Sequence, residues 1–180
     1  KYHTEVLKDN RWKDAIGLVL GGDGSVATNG FWSALTIATT QQLPQLFYIE
    51  DNGYGISVPS EFQTPGGNIA ANLASFKGLT IISGDGTNPQ QASELVAQAH
   101  SIVRYERKPV LLRLTVPRLN RHSAQDTQTY KSSQRITFEQ QHDPLPKLKK
   151  FLLTHSILTE DKWHEIQKNA KSAVNKAFIK

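Results

Sequence analysis

Short apolar runs alternate with helical patterns along the first two thirds of the chain. Four of the runs have the length and composition of buried strands: residues 16–20, 46–49, 79–83 and 109–116. Apolar residues recur at helical spacing between them, in residues 31–43 and 89–106. Strands separated by helices of this length pair in parallel through right-handed crossovers. The pattern therefore predicts an α/β fold, an open parallel sheet with flanking helices.

The periodic pattern stops after Val116. Residues 117–142 are polar and without periodicity, so we predict an irregular loop, whose length is typical of a functional or disordered segment. Two helices are predicted after it, one over residues 144–155 and one with Thr159 as its N-cap. In the second helix, apolar residues recur at helical spacing, namely Trp163, Ile166, Ala170, Val174 and Ala177. We expect residues 1–142 to form the α/β domain, with the helices of 143–180 packed on it.

Composition narrows the class of protein. The chain has 180 residues, of which 38% are apolar, with no run of eighteen apolar residues and no signal-peptide pattern, so we expect a soluble globular protein. The absence of cysteine excludes disulfides, thiolate metal sites and cysteine nucleophiles. Because methionine is also absent and the chain opens on Lys1, we expect a segment of a longer protein.

The charge is unevenly divided. Residues 1–100 carry 5 basic and 9 acidic side chains, whereas residues 101–180 carry 16 and 7. A basic half is compatible with nucleic-acid binding, which would depend steeply on salt. The basic residues are scattered along predicted helices without interleaved aromatics, which favours a solvated helix face.

Two Gly-Asp-Gly sequences follow predicted strands. The first lies in "LVLGGDGSVATNG" (18–30), where Asp23 comes directly after the first strand. The second strand ends in "IEDNGYGIS" (49–57), which contains Asn52. Ligands of open parallel sheets bind at the carboxyl ends of the strands, and neighbouring strands are about 4.8 Å apart. If these two strands pair, Asp23 and Asn52 can therefore reach one ion.

The chemistry of this pair indicates a hard cation bound together with a phosphate. Carboxylate and amide oxygens suit Mg²⁺ or Ca²⁺ rather than Zn²⁺, and Mg²⁺ usually combines one or two carboxylates with substrate phosphates. The glycines beside Asp23 allow backbone amides to approach a phosphate, and a helix predicted to begin near Asn29 adds its positive N-terminus. Two turn residues that merely cap strands are the alternative.

The second Gly-Asp-Gly, residues 84–86, has no such partner. The strand that follows it ends in "LTVPRL", without an amide side chain. We therefore interpret Asp85 as turn chemistry ahead of the helix that begins at Pro89.

Three motifs in order resemble one known family. "GDGSVATNGFWSALTIATTQQLPQLFYIEDNGYGIS", then "RLNRHSAQDTQTYKS", then "HDPLPKLKKFLL" are similar to the alpha subunit of 2-oxo acid dehydrogenases, the decarboxylating components of the pyruvate and branched-chain complexes. The similarity runs from about Ile16 to Leu153. It implies a transketolase-like fold that binds thiamine diphosphate and Mg²⁺.

The resemblance also implies roles for individual residues. Asp23 and Asn52 would bind Mg²⁺ with their side chains, and Tyr54 with its backbone carbonyl. His122, on the 117–142 loop, matches a catalytic histidine that faces the diphosphate and the reacting carbon. Gly22, Gly24 and Ser25 would line the diphosphate. Ile56 would lie near the cofactor rings.

The sequence departs from the family at several of these positions. Asn29 replaces a frequent glycine, and Ser33 a frequent acidic residue. Glu50 and Asp51 stand where relatives often have basic or amide residues. Two acids beside a diphosphate site either point away from it or moderate its affinity for the cofactor. We do not expect Glu50 to be a contact.

The implied reaction is the oxidative decarboxylation of a 2-oxo acid with acyl transfer to a lipoyl group. The implied partners are a beta subunit, or a fused beta half, that supplies the aminopyrimidine glutamate, and a lipoyl-bearing acyltransferase; neither nucleic acid nor membrane is expected. We expect this segment alone to be inactive, and its location to be bacterial cytoplasm or mitochondrial matrix. The alternatives are an acetoin-cleaving relative and an interaction domain without cofactor.

Overall fold

A computed structural model describes residues 1–179 of the chain. Those residues divide into two compact units, 1–142 and 143–179. The strands are β1 (Gly17–Gly22), β2 (Gln45–Asp51), β3 (Tyr54–Gly55), β4 (Val58–Pro59), β5 (Thr80–Asp85) and β6 (Val110–Thr115). The α-helices are α1 (Asp23–Val26), α2 (Asn29–Thr40), α3 (Ile69–Asn72), α4 (Pro89–Ser101), α5 (Ser133–Gln141), α6 (Pro144–Thr154) and α7 (Glu160–Phe178).

The main sheet has four strands in the order β1-β2-β6-β5, and all its pairs are parallel. The α/β fold with flanking helices is therefore confirmed. In register, Gly22 lies opposite Glu50, and Asp51 and Asp85 both lie opposite Thr115. The segments that leave β1, β2, β5 and β6 consequently emerge at one edge. A separate antiparallel hairpin, β3-β4, follows β2 at that edge.

Each face of the sheet has its own apolar core. Phe31 and Leu35 of α2 pack with Phe47 and Leu111 on one face. On the other face, the core contains Ala99 of α4 together with Leu46, Val103, Val110 and Leu112. Successive residues of β6 alternate between the two cores because strand side chains point to opposite faces. A fully buried leucine contributes about 1.5–3 kcal/mol, so these cores hold the strand ends rigidly in register.

The predicted burial of the first strand is wrong for the described residues. Leu18, Val19 and Leu20 are 56%, 42% and 71% exposed. Among residues 1–179, strand β1 pairs only with β2, so it forms an edge of the sheet and no strand lies on its outer side. The apolar run therefore predicted the strand correctly but not the exposure of its side chains.

The loop predicted over 117–142 is irregular only in its first part. Helix α5 occupies Ser133–Gln141, with the hydroxyl of Ser132 accepting the amide hydrogen of Arg135 as an N-cap. An ion pair between Arg135 and Glu139 links successive turns of this helix at 2.8 Å. The sequence pattern did not predict this helix because ion pairing and capping stabilise it, and not an apolar stripe.

The second unit consists of α6 and α7. Thr159 caps α7 as predicted, since its hydroxyl accepts the amide hydrogen of Lys162. Within this unit an ion pair joins Lys149 to Glu160. Of the apolar positions at helical spacing in α7, Trp163 is buried and the other four are exposed. Within residues 1–179, no helix combines the length and apolarity needed to cross a membrane.

Candidate functional site

Asp23 lies where β1 passes into α1, at the carboxyl end of the sheet. It is 6% exposed, and its Oδ2 accepts hydrogen bonds from the backbone amides of Asn52 at 2.9 Å and Gly53 at 3.0 Å. Because β1 and β2 are parallel neighbours, the residue after β1 meets the turn after β2. The predicted juxtaposition of Asp23 with the Asn52 turn is present.

The electrostatic state of Asp23 is unusual for an aspartate. Burial, followed by the neighbouring carboxylate of Asp51, raises its pKa to about 7, against two backbone hydrogen bonds that lower it. A carboxyl group with this pKa changes its charge near neutral pH. A bound divalent cation would favour the ionised form, since a nearby positive charge stabilises a carboxylate.

The turn that receives Asp23 is itself tightly defined. Gly53 has a φ of +82°, a left-handed conformation that side chains other than glycine rarely adopt. The Oδ1 atom of Asn52 accepts the amide hydrogen of Tyr54 at 3.0 Å. The turn therefore presents the Asn52 amide and the Tyr54 backbone next to the carboxylate of Asp23.

A cavity of about 450 Å³ opens beside this turn. It brings together every residue that the sequence assigned to cofactor or metal: Gly22, Asp23, Gly24, Ser25, Asn52, Tyr54, Ile56 and His122. The cavity wall includes the start of α1, whereas Asn29 at the start of α2 is not among its residues. The helix that approaches the cavity is thus the short α1, not α2 as the sequence led us to expect.

Two further lining residues, Gly55 and Gln63, were missed. A Cβ on Gly55 would stand 2.4 Å from the Gln63 side chain, and a Cβ on Gly24 would stand 3.5 Å from the Cα of Gly55. The Gly-Tyr-Gly spacing in "NGYGIS" is the signal that could have identified Gly55. Glycine at these positions keeps the two walls close without side chains between them.

Ser25 stabilises the turn that leads from β1 into α1 at the cavity wall. Its hydroxyl accepts the amide hydrogen of Gly22 at 2.9 Å and donates to the Gly22 carbonyl at 2.7 Å. The hydroxyl is thus engaged with backbone, and it shapes the turn that carries Asp23.

Ile56 stands on the cavity wall with a left-handed backbone. Its φ is +56°, which is strained for a β-branched residue and costs on the order of 1–3 kcal/mol. The guanidinium group of Arg118 donates a hydrogen bond to the Ile56 carbonyl. Strain of this kind persists only where the surroundings impose it, and the Arg118 contact is one such restraint.

The loop that carries His122 is organised by Asp126. The Asp126 carboxylate accepts hydrogen bonds from the amides of His122 and Gln128, both at 2.8 Å, and from the hydroxyl of Tyr130 at 2.9 Å. Its Oδ2 lies 3.4 Å from Arg118. The backbone hydrogen bond from His122 leads the contacts that lower the Asp126 pKa to about 2. Arg118 thus joins the His122 loop to Ile56. No sequence motif indicated this role.

The donor set at Asp23 is too small to hold a metal by protein charge alone. Among residues 1–179, no group of three or more His, Asp or Glu side chains is placed around one ion. The oxygens available are the carboxylate of Asp23, the amide of Asn52 and the backbone of Tyr54. This set fits Mg²⁺ accompanied by a phosphate ligand better than Mg²⁺ alone.

Comparison with known proteins identifies the family of the chain but does not bear on a metal or cofactor. The sequence model of the family described as "Dehydrogenase E1 component" matches residues 6–180. The chain is 31% identical over 179 residues to "2-oxoisovalerate dehydrogenase subunit alpha, mitochondrial" of Caenorhabditis elegans, covering 98% of this chain and 40% of that protein. It is 27% identical over 172 residues to "Pyruvate dehydrogenase E1 component subunit alpha" of Staphylococcus epidermidis and of Staphylococcus aureus, covering 94% of this chain and 46% of those proteins. The chain spans less than half the length of these curated relatives.

Proposed function

Because this chain belongs to the dehydrogenase E1 component family, we propose that it is the alpha part of a 2-oxo acid dehydrogenase and binds thiamine diphosphate with Mg²⁺ in the Asp23 cavity. One observation carries the proposal. The eight positions assigned from the sequence come from three separate chain segments, and all of them line one cavity at the carboxyl edge of the sheet.

The residues present fit this cofactor. Asp23, Asn52 and the Tyr54 carbonyl offer the hard oxygen ligands that Mg²⁺ prefers. Gly22 and Gly24 line the cavity and present only backbone to it, so backbone amides can approach a diphosphate. Ser25 stabilises that backbone, and Ile56 supplies an apolar surface for the cofactor rings.

When bound, thiamine diphosphate would supply a carbon nucleophile and an electron sink for the decarboxylation of a 2-oxo acid. His122 stands on the wall of the same cavity and would exchange protons with, or stabilise charge on, the reacting groups. Asp126 fixes the backbone of His122 at the cavity wall.

Further parts of the reaction need other polypeptides in this proposal. A beta subunit, or a fused beta half, supplies the glutamate for the aminopyrimidine ring, and a lipoyl-bearing acyltransferase accepts the acyl group. The names of the relatives include both 2-oxoisovalerate and pyruvate enzymes, so the substrate class is a 2-oxo acid.

Calorimetric titration of thiamine diphosphate tests the proposal, performed on the native complex that contains this chain, with and without Mg²⁺. We expect saturable binding that requires Mg²⁺ and is lost in Asp23→Ala. The matched control is Asp85→Ala, which changes the other Gly-Asp-Gly and should bind like the unaltered protein. Absence of binding by the unaltered complex would overturn the proposal and favour a cofactor-free interaction domain. A substrate screen then separates 2-oxo acid oxidation from acetoin cleavage.

A further inference from the structure

Resting on the proposed function, we propose that the Asp51–Arg113 ion pair is a positioning device for the metal-binding turn, in which Arg113 holds Asp51 so that Asp51 fixes the Gly53 amide beside Asp23. Asp51 immediately precedes Asn52, and Arg113 belongs to the neighbouring strand β6. Neither residue is in the wall of the Asp23 cavity; both line a neighbouring cavity of about 430 Å³ that shares Asn52 with it.

The geometry gives each oxygen of Asp51 a different partner. Oδ2 accepts from Nε of Arg113 at 2.5 Å, and Nη2 of the same guanidinium contacts the same oxygen. Oδ1 accepts the amide hydrogen of Gly53 at 3.1 Å. Asp51 is 7% exposed, so water does little to screen its charge. The carboxylate therefore links β6 to the turn through two kinds of bond.

Asp23 and Asp51 share one donor. The Gly53 amide is 3.0 Å from Oδ2 of Asp23 and 3.1 Å from Oδ1 of Asp51. Asp51 and Asp23 therefore hold the same amide from two sides, and a displacement of Asp51 would move the group that anchors Asp23.

Arg113 holds Asp51 in this arrangement. Its guanidinium group pairs with Oδ2 of Asp51 and leaves Oδ1 to accept the Gly53 amide hydrogen. The sequence left open whether the two unusual acids point away from the site or moderate its affinity. They differ: Glu50 is exposed, opposite Gly22 in register, whereas Asp51 is buried, paired and bonded to the turn.

A second basic residue at the same turn provides a matched control. Arg135 approaches the Asn52 carbonyl at 3.5 Å and pairs with Glu139. Glu139 also pairs with Lys131 at 2.6 Å, so removal of Arg135 leaves its acid partnered. Loss of Arg113, in contrast, removes the cation from a buried carboxylate, which is far more damaging than loss of both members of a pair.

The test is a double-mutant cycle on the native complex with Arg113→Gln, Asp51→Asn and the double variant, with Arg135→Gln alongside. The readouts are the affinity for thiamine diphosphate at fixed Mg²⁺, the affinity for Mn²⁺ by electron paramagnetic resonance with the cofactor present, and the thermal midpoint of each apo protein. We expect Arg113→Gln to weaken both affinities at least tenfold, and Arg135→Gln less than threefold. The double variant should return to within threefold of the unaltered protein, because the asparagine side chain introduced by Asp51→Asn can still accept from Gly53 and no unpaired charge remains.

The outcomes separate this inference from the proposed function. Failure of the unaltered complex to bind the cofactor overturns the proposed function and this inference with it. Normal binding by the unaltered complex, together with normal binding by Arg113→Gln, overturns only the inference. The inference alone is also overturned if the fold-losses of affinity in the two single variants multiply in the double variant. A fall in the thermal midpoints with both affinities unchanged would overturn it as well.

Discussion

The two Gly-Asp-Gly turns have the same local sequence and opposite surroundings. Asp23 is buried and accepts amide hydrogens from Asn52 and Gly53, residues of the neighbouring turn. Asp85 is exposed, and its Oδ1 accepts the amide hydrogen of Thr87, two residues along its own chain, at 2.7 Å. One carboxylate joins two strand ends, whereas the other shapes a local turn.

The neighbouring strand makes this difference. Strand β1 lies beside β2, which ends in a turn with two amides directed at Asp23. Strand β5 lies beside β6, where the contact runs the other way: the amide of Gly86 donates to the Thr115 carbonyl at 2.8 Å. The chain after Thr115 then reaches Pro117, which has no amide hydrogen to offer. A short motif is therefore a site only where its spatial neighbour supplies the complementary groups.

The largest expected difference between the two turns is that between the variants Asp23→Asn and Asp85→Asn. The asparagine side chain in Asp23→Asn can still accept the two amide hydrogens but carries no charge, so we expect Mg²⁺-dependent cofactor affinity to fall by about a hundredfold or more, which is about 2.7 kcal/mol. Asp85→Asn should change it less than threefold. Calorimetry on the native complex measures both. Equal losses would show that the difference in surroundings has no bearing on ligand binding.

Gly53→Ala tests whether the turn that faces Asp23 must be left-handed. The φ of +82° is unfavourable for alanine by about 1–2 kcal/mol, and the new Cβ would stand 3.3 Å from Nη2 of Arg135. Gly66→Ala is the control, since Gly66 has a φ of +66° with nothing within 4 Å of a Cβ. We expect similar losses of unfolding free energy, measured by urea denaturation, but weakened cofactor binding only in Gly53→Ala. Unchanged binding there would mean that the turn tolerates rearrangement.

Asp126 is a third carboxylate to compare with Asp23 and Asp85. Its hydrogen bonds organise a loop, not a metal site. Its pKa of about 2 lies below the ordinary value of 3.8. The stabilisation from its hydrogen bonds is therefore present above about pH 3.8 and is lost as the pH falls towards 2. The amide resonance of His122 in an NMR titration should move with a midpoint near 2, and Asp126→Asn should abolish that step. A midpoint near 4 would contradict the hydrogen-bonded arrangement.

Asn88→Ala gives the smallest expected effect and concerns the second turn alone. The Asn88 side chain caps α4 by accepting the amide hydrogens of Gln90 at 3.1 Å and Gln91 at 3.2 Å. Its loss should lower the free energy of unfolding by about 1 kcal/mol, measured by urea denaturation, and leave cofactor affinity unchanged. A change in cofactor affinity would give the second turn a part in the site that its geometry does not indicate.

By itself, the sequence determined the features that depend on neighbours along the chain. Apolar runs and helical spacing predicted the four parallel strands and α2 and α4, and the resemblance to a known family assigned eight of the residues that line the Asp23 cavity. Local signals were also sufficient for the Thr159 cap. The strands, the helices and the cap follow from backbone geometry or short-range hydrogen bonding, which are set within a few residues.

Only the tertiary structure decided which strand ends are neighbours and which side chains are covered. It placed β1 at an edge, so Leu18, Val19 and Leu20 are exposed despite their apolar run. It also placed β6 beside β2, which brings Arg113 to Asp51 across 62 residues of sequence. The reason is physical: strand order and ion pairing between strands arise from the packing of the whole sheet, and no local pattern encodes them.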